Sequence, residues 1–370
     1  MKVGIIGLPE VGKTTLFNAL THGESPVTAF GGGRAEANIG TISVPDPRFD
    51  HLVREYRPKR VSPAHVEVVD GAAPIGVEHP SSRKATADLF GIDFFTGIRS
   101  VDALIHVVRA FESALPQGEI NPLRDVRKVN DELALADLSL AEGRLDRIEK
   151  SLHGKKVIAG SQPTMERDLM LRIRAHLEEG RSLKDLQLNA DEIKTIKSFD
   201  FLTLKPMIIV ANVGEGHTPD SDSTLLGGLR SHCADEGLEL IELAAEVEME
   251  IAQLPEEEEQ EYFEAMGITE PAANRVTRSV YRALGVITFF TVGEIEVHAR
   301  TIESGTHAVD AAGSVHSDMA RGFIRAEILR YDDFAKAGSW QAAKEAGLVK
   351  LEGKEYVMRD GDLMLVRFKV

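Results

Sequence analysis

The sequence contains almost no cysteine, few aromatic residues and no long apolar run. Among 370 residues there are 1 Cys and 1 Trp, and aromatic residues make up 6%. The single thiol, Cys233, excludes an intramolecular disulfide framework and a cysteine zinc site, and it favours a reducing compartment. No apolar run approaches the roughly 18 residues that would span a bilayer, and Met1 and Lys2 lead directly into a strand-like segment. We therefore expect no signal peptide, no membrane partner and a cytoplasmic location.

Basic residues are fewer than acidic residues. The 43 Lys and Arg residues face 59 Asp and Glu residues, and the net charge is −16. This excess of acid argues against a broad, non-specific surface for DNA or RNA, because it would repel the phosphate backbone. The 12 His residues show no H-E-x-x-H pattern and no close His/Cys cluster, which argues against a zinc site. We therefore predict no DNA partner, and we expect any contact with RNA to be local.

A phosphate-binding loop is the clearest motif that the sequence does contain. Residues 7–14 read GLPEVGKT, a full match to G-x-x-x-x-G-K-[ST]. The apolar run KVGII precedes the motif and the helical pattern TLFNAL follows it, so a strand, a glycine loop and a helix occur in the order that phosphate binding requires. We therefore predict binding of a nucleoside triphosphate. The nucleotide-binding residues predicted in this segment are Gly7, Glu10, Val11, Gly12, Lys13, Thr14 and Thr15.

The residue types of this motif each have a chemical reason. Gly7 and Gly12 let backbone N–H groups turn toward phosphate oxygens. Lys13 brings a positive charge to the β- and γ-phosphates, and Thr14 offers a hydroxyl to Mg²⁺. The predicted cofactor is thus Mg²⁺, with ATP or GTP as the bound nucleotide.

Short Val/Ile/Leu runs alternate with helical or irregular segments over much of the chain. Such runs are typical of strands in a mostly parallel sheet that is covered on both faces. The predicted strands of this layer span residues 3–6, 39–44, 65–69, 103–108, 207–211 and 238–243. The pattern predicts an α/β nucleotide-binding domain.

Two other segments differ from this layer. Between residues 121 and 200 apolar residues recur every three or four positions, first along 134–152 and then along 169–177, with a break rich in Gly and Pro between them. We interpret this segment as an inserted antiparallel helical hairpin, although helices packed flat on the domain stay an alternative. After Gly285, short β-rich runs separated by turn signals predict a small α+β domain. Its predicted strands span 286–291, 298–302, 323–328, 354–357 and 363–368.

Several longer strings resemble the Obg-like ATPase family of the YchF type, a branch of the P-loop GTPases. The resemblance covers essentially the whole chain. The strings are VPDPRFD at 44–50, HVVRAFE at 106–112, NDELALADL at 130–138, FLTLKPMIIVANVGE at 201–215 and GSVHSDMARGFIRAE at 313–327.

This resemblance implies a three-part architecture. A Ras-like P-loop NTPase domain (1–120 and 201–284) is interrupted by a coiled-coil hairpin (121–200) and followed by a ubiquitin-like TGS domain (285–370). It also implies nucleotide-dependent association of a monomer with the ribosome or ribosomal RNA, through the TGS domain and the hairpin. Whether the hairpin contacts RNA or protein stays open.

The base-reading element is altered relative to most GTPases. Their N-K-x-D motif uses an aspartate to accept two hydrogen bonds from guanine, whereas the corresponding residues here are Asn212, Val213, Gly214 and Glu215. Adenine has no such donor pair, and Val213 offers an apolar wall beside the base. We therefore predict that Asn212, Val213 and Glu215 contact the base and that ATP is preferred, although Glu215 retains a carboxylate that can reach guanine.

The switch regions depart from the family pattern. Asp70, in the D-x-x-G position, is predicted to bind Mg²⁺ with Thr14, and Lys13 and Asp70 are the predicted catalytic residues. However, Ala73 replaces the last glycine and Pro74 follows it. The stretch 30–36 has no threonine in register; its Arg34 is either an internal arginine finger or a solvated loop residue. The loop after 106–112 lacks the family's histidine and offers only Gln117.

Two functions therefore remain open from the sequence. One is a slow ATPase that hydrolyses nucleotide to a diphosphate and phosphate. The other is a hydrolysis-deficient, nucleotide-responsive scaffold that binds the ribosome. A third possibility is that the nucleotide is merely structural, which predicts bound nucleotide that co-purifies and does not exchange.

Overall fold

The computed structural model describes most of the chain. The described residues are 1–23, 38–70, 90, 92–112, 118–153, 161–217, 223–255, 258–259, 262 and 270–369. The switch residues singled out in the sequence, namely Arg34, Ala73, Pro74 and Gln117, lie outside these ranges. Predictions about them therefore stay predictions from sequence.

The described strands follow the predicted pattern closely. They are β1 (Lys2–Ile6), β2 (Asn38–Ser43), β3 (Arg60–Ser62), β4 (His65–Asp70), β5 (Ala103–Ala110), β6 (Met207–Val213), β7 (Glu239–Leu243), β8 (Val286–Thr291), β9 (Glu296–Glu303), β10 (Phe323–Arg330), β11 (Lys350–Glu352) and β12 (Asp362–Phe368).

Helices connect most of these strands. They are α1 (Lys13–Thr21), α2 (Pro47–Tyr56), α3 (Ile92–Arg99), α4 (Pro122–Leu152), α5 (Gln162–Glu178), α6 (Ala190–Ile196), α7 (Ser223–Asp235), α8 (Ala245–Ala252), α9 (Ala272–Leu284), α10 (Ala308–Val315), α11 (Ser317–Arg321), α12 (Tyr331–Ala337) and α13 (Trp340–Glu345). Short 3-10 turns occur at Leu183–Asp185, Lys197–Phe199 and Leu202–Leu204. In the described ranges no helix has both the length and the apolar character that crossing a membrane requires.

The first sheet has the order β2-β4-β1-β5-β6-β7. The pairs β1–β4, β1–β5, β5–β6 and β6–β7 are parallel. Every residue of β5 is buried, as expected for a central strand with helices on both faces. The predicted α/β class is confirmed, and β1 ends at the glycine loop in the middle of this sheet.

The second sheet is mixed, with the order β11-β10-β12-β8-β9-β3. Its apolar core includes Phe289, Ala311, Ala326, Ile328 and Met364. One predicted strand, residues 354–357, is wrong. The backbone N–H of Tyr356 closes a turn onto the Gly353 carbonyl, and Val357 forms only an isolated bridge to His307. The alternating residue types of this segment resembled a strand, but β11 lies just before it.

The long helix α4 packs against α5. Asn121 caps α4 by accepting a hydrogen bond from the backbone N–H of Arg124, and Pro122 opens it. The guanidinium of Arg144 donates to both carboxylate oxygens of Glu166 at 2.7 and 3.0 Å. Both predicted apolar seams meet in one buried cluster, which includes Ala141, Leu145, Ile148, Leu169, Ile173 and Leu177.

The described chain forms two compact units. One comprises Met1–Gly40 and Glu67–Ala273, and the other comprises Thr41–Val66 and Asn274–Val370. The segment Thr41–Val66 thus groups with the C-terminal part, although the sequence analysis had assigned it to the nucleotide-binding domain. Within this second unit, Phe49 stacks on Phe290 and Arg48 pairs with Asp360 at 2.6 Å. These contacts join residues far apart in sequence, which local patterns do not reveal.

Candidate functional site

The glycine loop connects β1 to α1 and packs closely against the neighbouring strands. Gly7 has φ 147°, and a Cβ there would lie 2.3 Å from the carbonyl oxygen of Val107 in β5. Gly12 has φ 93°, and a Cβ there would lie 2.3 Å from Nδ2 of Asn212 in β6. Both positions therefore require glycine because of the fold, in addition to the close approach of phosphate that the motif predicts.

Three further residues of this segment are predicted to bind nucleotide, namely Glu10, Val11 and Thr15. Glu10 is exposed and has φ 63°, a left-handed conformation that costs an L-residue roughly 1–2 kcal/mol. Val11 is buried, and its carbonyl accepts a hydrogen bond from the Asn212 amide at 3.0 Å. Thr15 lies half-buried in the first turn of α1. The predicted contacts of these three residues with nucleotide stay predictions.

Lys13 is buried and held by the loop itself. Its Nζ donates to the carbonyl oxygens of Gly7 at 3.1 Å and Leu8 at 2.6 Å. Burial lowers the pKa of Lys13 to about 8, and the carboxylate of Asp70 opposes part of this shift. The ammonium is therefore already largely stripped of water, so an anionic phosphate would interact with it strongly.

We expect nucleotide affinity to fall as pH rises above about 8. A lowered lysine pKa means that the ammonium is present below about pH 8 and is lost above it. Because phosphate binding requires the charge, affinity should decline by up to about tenfold per pH unit, and binding should take up a proton. Calorimetric titration at about pH 7 and pH 9, in buffers of different ionisation enthalpy, measures both effects. Equal affinity and no proton uptake at the higher pH would contradict the assignment of Lys13.

Thr14 and Asp70 form a site that fits Mg²⁺. The Thr14 hydroxyl donates to Oδ2 of Asp70 at 2.8 Å. Asp70 is 2% exposed, and its Oδ1 has no hydrogen-bond partner among the described residues. A buried, unpartnered carboxylate oxygen beside a hydroxyl suits a hard cation, and Mg²⁺ takes few protein ligands when phosphates and waters complete its shell. No group of three or more His, Cys, Asp or Glu residues that could hold a metal occurs within the described ranges.

Asn212 links three parts of the site. Its Nδ2 donates to the Val11 carbonyl, while its Oδ1 accepts from the backbone N–H of Ala245 at 2.9 Å. Asn212 is 5% exposed. Both ends of the amide are thus used within the protein, and the residue braces the phosphate loop against β6 and the start of α8. Its predicted contact with the base stays a prediction.

The other two base-reading candidates lie in different environments. Val213 is 6% exposed and belongs to a buried cluster with Leu226 and Leu229 of α7. Its side chain therefore lies in the core, and its predicted contact with the base stays a prediction. Glu215 is exposed in the turn that follows β6. The exposed side chain of Glu215 suits base recognition, and its predicted contact with the base also stays a prediction.

A histidine that the sequence analysis passed over lies close to the phosphate loop. His106 in β5 is fully buried, and within the described part of the chain neither ring nitrogen has a hydrogen-bond partner. Burial lowers its pKa to about 3, with a further contribution from the charge of Lys13. The imidazole is therefore neutral at physiological pH. In the sequence His106 is one of two polar residues in the otherwise apolar run ALIHVVRA, which is a weak signal.

Comparison with known proteins agrees with this geometry. Residues 2–140 match the family described as 50S ribosome-binding GTPase, and residues 286–369 match the YchF-GTPase C-terminal family, described as a protein of unknown function. A ribosome-binding ATPase YchF from Haemophilus influenzae is 40% identical over 372 residues, covering 100% of this chain and 99% of the relative. The Obg-like ATPase 1 of Oryza sativa subsp. japonica is 32% identical over 100% of this chain and 92% of the relative.

A solved structure is similar as well. The structure of the Schizosaccharomyces pombe YchF GTPase has a TM-score of 0.82 and 29% sequence identity, covering 99% of this chain and 97% of that chain. The likeness therefore extends over both sheets and the helices between them.

Proposed function

This chain belongs to the YchF-type Obg-like ATPase family of P-loop GTPases, and we propose on that basis that it hydrolyses ATP slowly and prefers ATP to GTP. The observation that carries this proposal is the buried, loop-held ammonium of Lys13 beside the Thr14–Asp70 pair. Together these groups provide fixed positive charge and metal-binding oxygens at the start of α1, which is the arrangement that triphosphate binding requires.

The side chains of the site have distinct roles in this reaction. Backbone N–H groups of the loop and of α1 bind the phosphates, and Lys13 interacts with the β- and γ-phosphate oxygens. Thr14 and Asp70 would hold Mg²⁺, which supplies charge neutralisation at those oxygens when it is bound. Water attacks the γ-phosphorus in line, and the bond to the leaving β-phosphate oxygen breaks. Lys13 stabilises the charge that develops on the transferred group.

The preference for ATP rests on the base-reading turn. Glu215 stands in place of the aspartate with which most GTPases bind guanine, and Val213 stands in place of the lysine of their N-K-x-D motif. The relatives from Haemophilus influenzae and Oryza sativa subsp. japonica are both named ATPases. Because adenine lacks the donor pair that a carboxylate would read in guanine, loss of the aspartate removes the main term that favours GTP.

We propose further that the protein acts in the cytoplasm as a monomer that binds the ribosome in a nucleotide-dependent way. Relatives at 37–40% identity are named ribosome-binding ATPases. On the C-terminal sheet, Arg325 of β10 and Arg367 of β12 lie directly opposite each other and are exposed, and Arg367 pairs with Glu327. Glu327 offsets the charge of Arg367, so Arg325 supplies the net positive charge that a phosphate would complement. This local cationic site supports contact of the C-terminal TGS domain with ribosomal RNA, and the hairpin of α4 and α5 is the second proposed contact.

A second candidate function is a scaffold that binds nucleotide without hydrolysing it. Ala73 and Pro74 favour it, because neither supplies a side chain that could orient the attacking water. The loop that follows β5 offers only Gln117 where the family has a histidine. Under this alternative the nucleotide state would still control ribosome binding.

The decisive experiment titrates nucleotide-free protein with ATP and GTP in Mg²⁺, and then measures phosphate release with and without ribosomes. We expect tighter binding of ATP and slow release that ribosomes accelerate. Selective binding without release in either condition would support the scaffold. No binding of either nucleotide would contradict the site assignment.

A further inference from the structure

The turn that carries Glu215 contains two glycines, so its own residues do little to fix its conformation. It spans residues 214–217 after β6, and it is closed by a hydrogen bond from the His217 backbone N–H to the Gly214 carbonyl at 3.3 Å. Gly214 and Gly216 flank Glu215, and Gly216 has φ 78°. Glycine loses more backbone freedom on ordering than any other residue. A defined position of Glu215 therefore requires an anchor outside the turn.

His217 supplies such an anchor. Its Nε2 lies 2.9 Å from Oε2 of Glu242 in β7, and the two side chains are 10% and 19% exposed. Because a carboxylate can only accept, Nε2 carries the proton of this hydrogen bond. The end of the turn is thus tied to the neighbouring strand of the sheet.

Arg230 of α7 fixes the carboxylate in turn. Its Nε donates to Oε1 of Glu242 at 2.7 Å, and its NH2 nitrogen donates to Oε2 at 2.8 Å. The Arg230 guanidinium, followed by the His217 hydrogen bond, holds the pKa of Glu242 below its usual range. The acceptor of the His217 hydrogen bond is therefore a rigid, ionised group between two elements of the core.

We propose that His217 is a positioning residue for base selection. It holds the Glu215 turn in one place through Glu242 and Arg230, and this fixed place sets the ratio of ATP to GTP affinity. The inference rests on the proposed role of Glu215 in reading the base. A carboxylate discriminates between bases only when its position is defined to about half an ångström, and a freed turn would let it adapt to either base.

The test is the ratio of the two dissociation constants in His217→Ala. The ratio should move toward one by at least about fivefold, mainly through weaker binding of the nucleotide that the wild type prefers. Tripolyphosphate, which has no base, should bind as tightly as to wild type. His217→Gln keeps a hydrogen-bond donor and should recover part of the preference. Glu242→Gln should move the ratio toward one, as His217→Ala does. Amide exchange at residues 214–217 should become faster in His217→Ala.

His176→Ala is the matched control. His176 of α5 is 7% exposed, and its Nε2 hydrogen-bonds to the Ser182 carbonyl at 2.9 Å, so its removal costs a similar contact far along the chain from the turn. It should lower thermal stability without changing the affinity ratio.

The outcomes separate this inference from the proposed function. An unchanged ratio in His217→Ala, with a clear preference in the wild type, would overturn the role of His217 alone. A wild type that binds both nucleotides equally would overturn the proposed base preference and the inference with it. A ratio that falls equally in His176→Ala would also overturn the inference, because the effect would then reflect general destabilisation.

Discussion

Replacing Lys13 with alanine should weaken ATP binding by at least about 100-fold, or about 2.7 kcal/mol. Hydrogen bonds to charged groups contribute about 1.5–3 kcal/mol each, and Lys13 is buried where its charge is poorly screened. The loop carbonyls that now hold the ammonium belong to Gly7 and Leu8, so they would remain without replacing its positive charge. Titration of the nucleotide-free variant with ATP in Mg²⁺ measures the loss.

Lys205 offers a matched control for this variant. It is also a buried lysine with a lowered pKa, caused mainly by burial, and its Nζ donates to the carbonyl oxygens of Arg99 and Val101. Lys205→Ala should reduce thermal stability but leave ATP affinity within about twofold of wild type. If Lys13→Ala bound ATP as well as Lys205→Ala does, the phosphate site would have to lie elsewhere.

The elements of the nucleotide site were largely predictable because their spacing is local. The glycine loop fixes its own geometry within eight residues, and the apolar runs on either side give the strand and the helix. Asp70 meets Thr14 because β1 and β4 are parallel neighbours, and the register places Asp70 opposite Ile5, just before the loop. The family resemblance implied this pairing, because Asp70 occupies the D-x-x-G position and Thr14 ends the glycine-loop motif.

Other features depend on contacts between distant segments and were not predictable. The amide of Asn212 hydrogen-bonds to Val11 and Ala245, which a motif match does not reveal, and its predicted contact with the base stays a prediction. The link between His217 and Glu242 joins a turn residue to a residue of β7, and neither stands out in its own sequence context. Association of Thr41–Val66 with the C-terminal unit is likewise set by packing and ion pairs at long range.

Asp137 is the strongest case of a residue whose importance only the structure reveals. It lies on α4 within the string NDELALADL and is completely buried. Its oxygens accept hydrogen bonds from the Arg99 guanidinium at 2.9 Å, from the backbone N–H groups of Leu202 and Thr203 at 3.0 and 2.8 Å, and from the Thr203 hydroxyl at 2.9 Å. One carboxylate thus ties the long helix to α3 and to the segment that returns to β6.

Asp137→Ala should therefore destabilise the protein by about 3–5 kcal/mol, because it removes the carboxylate that pairs with Arg99 and leaves two backbone N–H groups and the Thr203 hydroxyl without their acceptor. Asp137→Asn keeps the shape but presents an NH2 group to donors, so it should destabilise the protein as well, by a smaller amount. The measurements are thermal unfolding and amide exchange at Leu202 and Thr203, which should lose protection first.

Asp125 of the same helix provides the comparison for Asp137. It is also buried, at 7% exposure, and its hydrogen bonds come from the Arg124 side chain, which is 53% exposed. Water can replace that contact, so Asp125→Ala should cost no more than about 1 kcal/mol. Equal losses in the two alanine variants would mean that burial alone, and not the anchoring of residues 202–203, sets the stability of this helix. A larger loss at Asp137, with early exchange at Leu202 and Thr203, would establish that one carboxylate on α4 holds the inserted helices to the nucleotide-binding sheet.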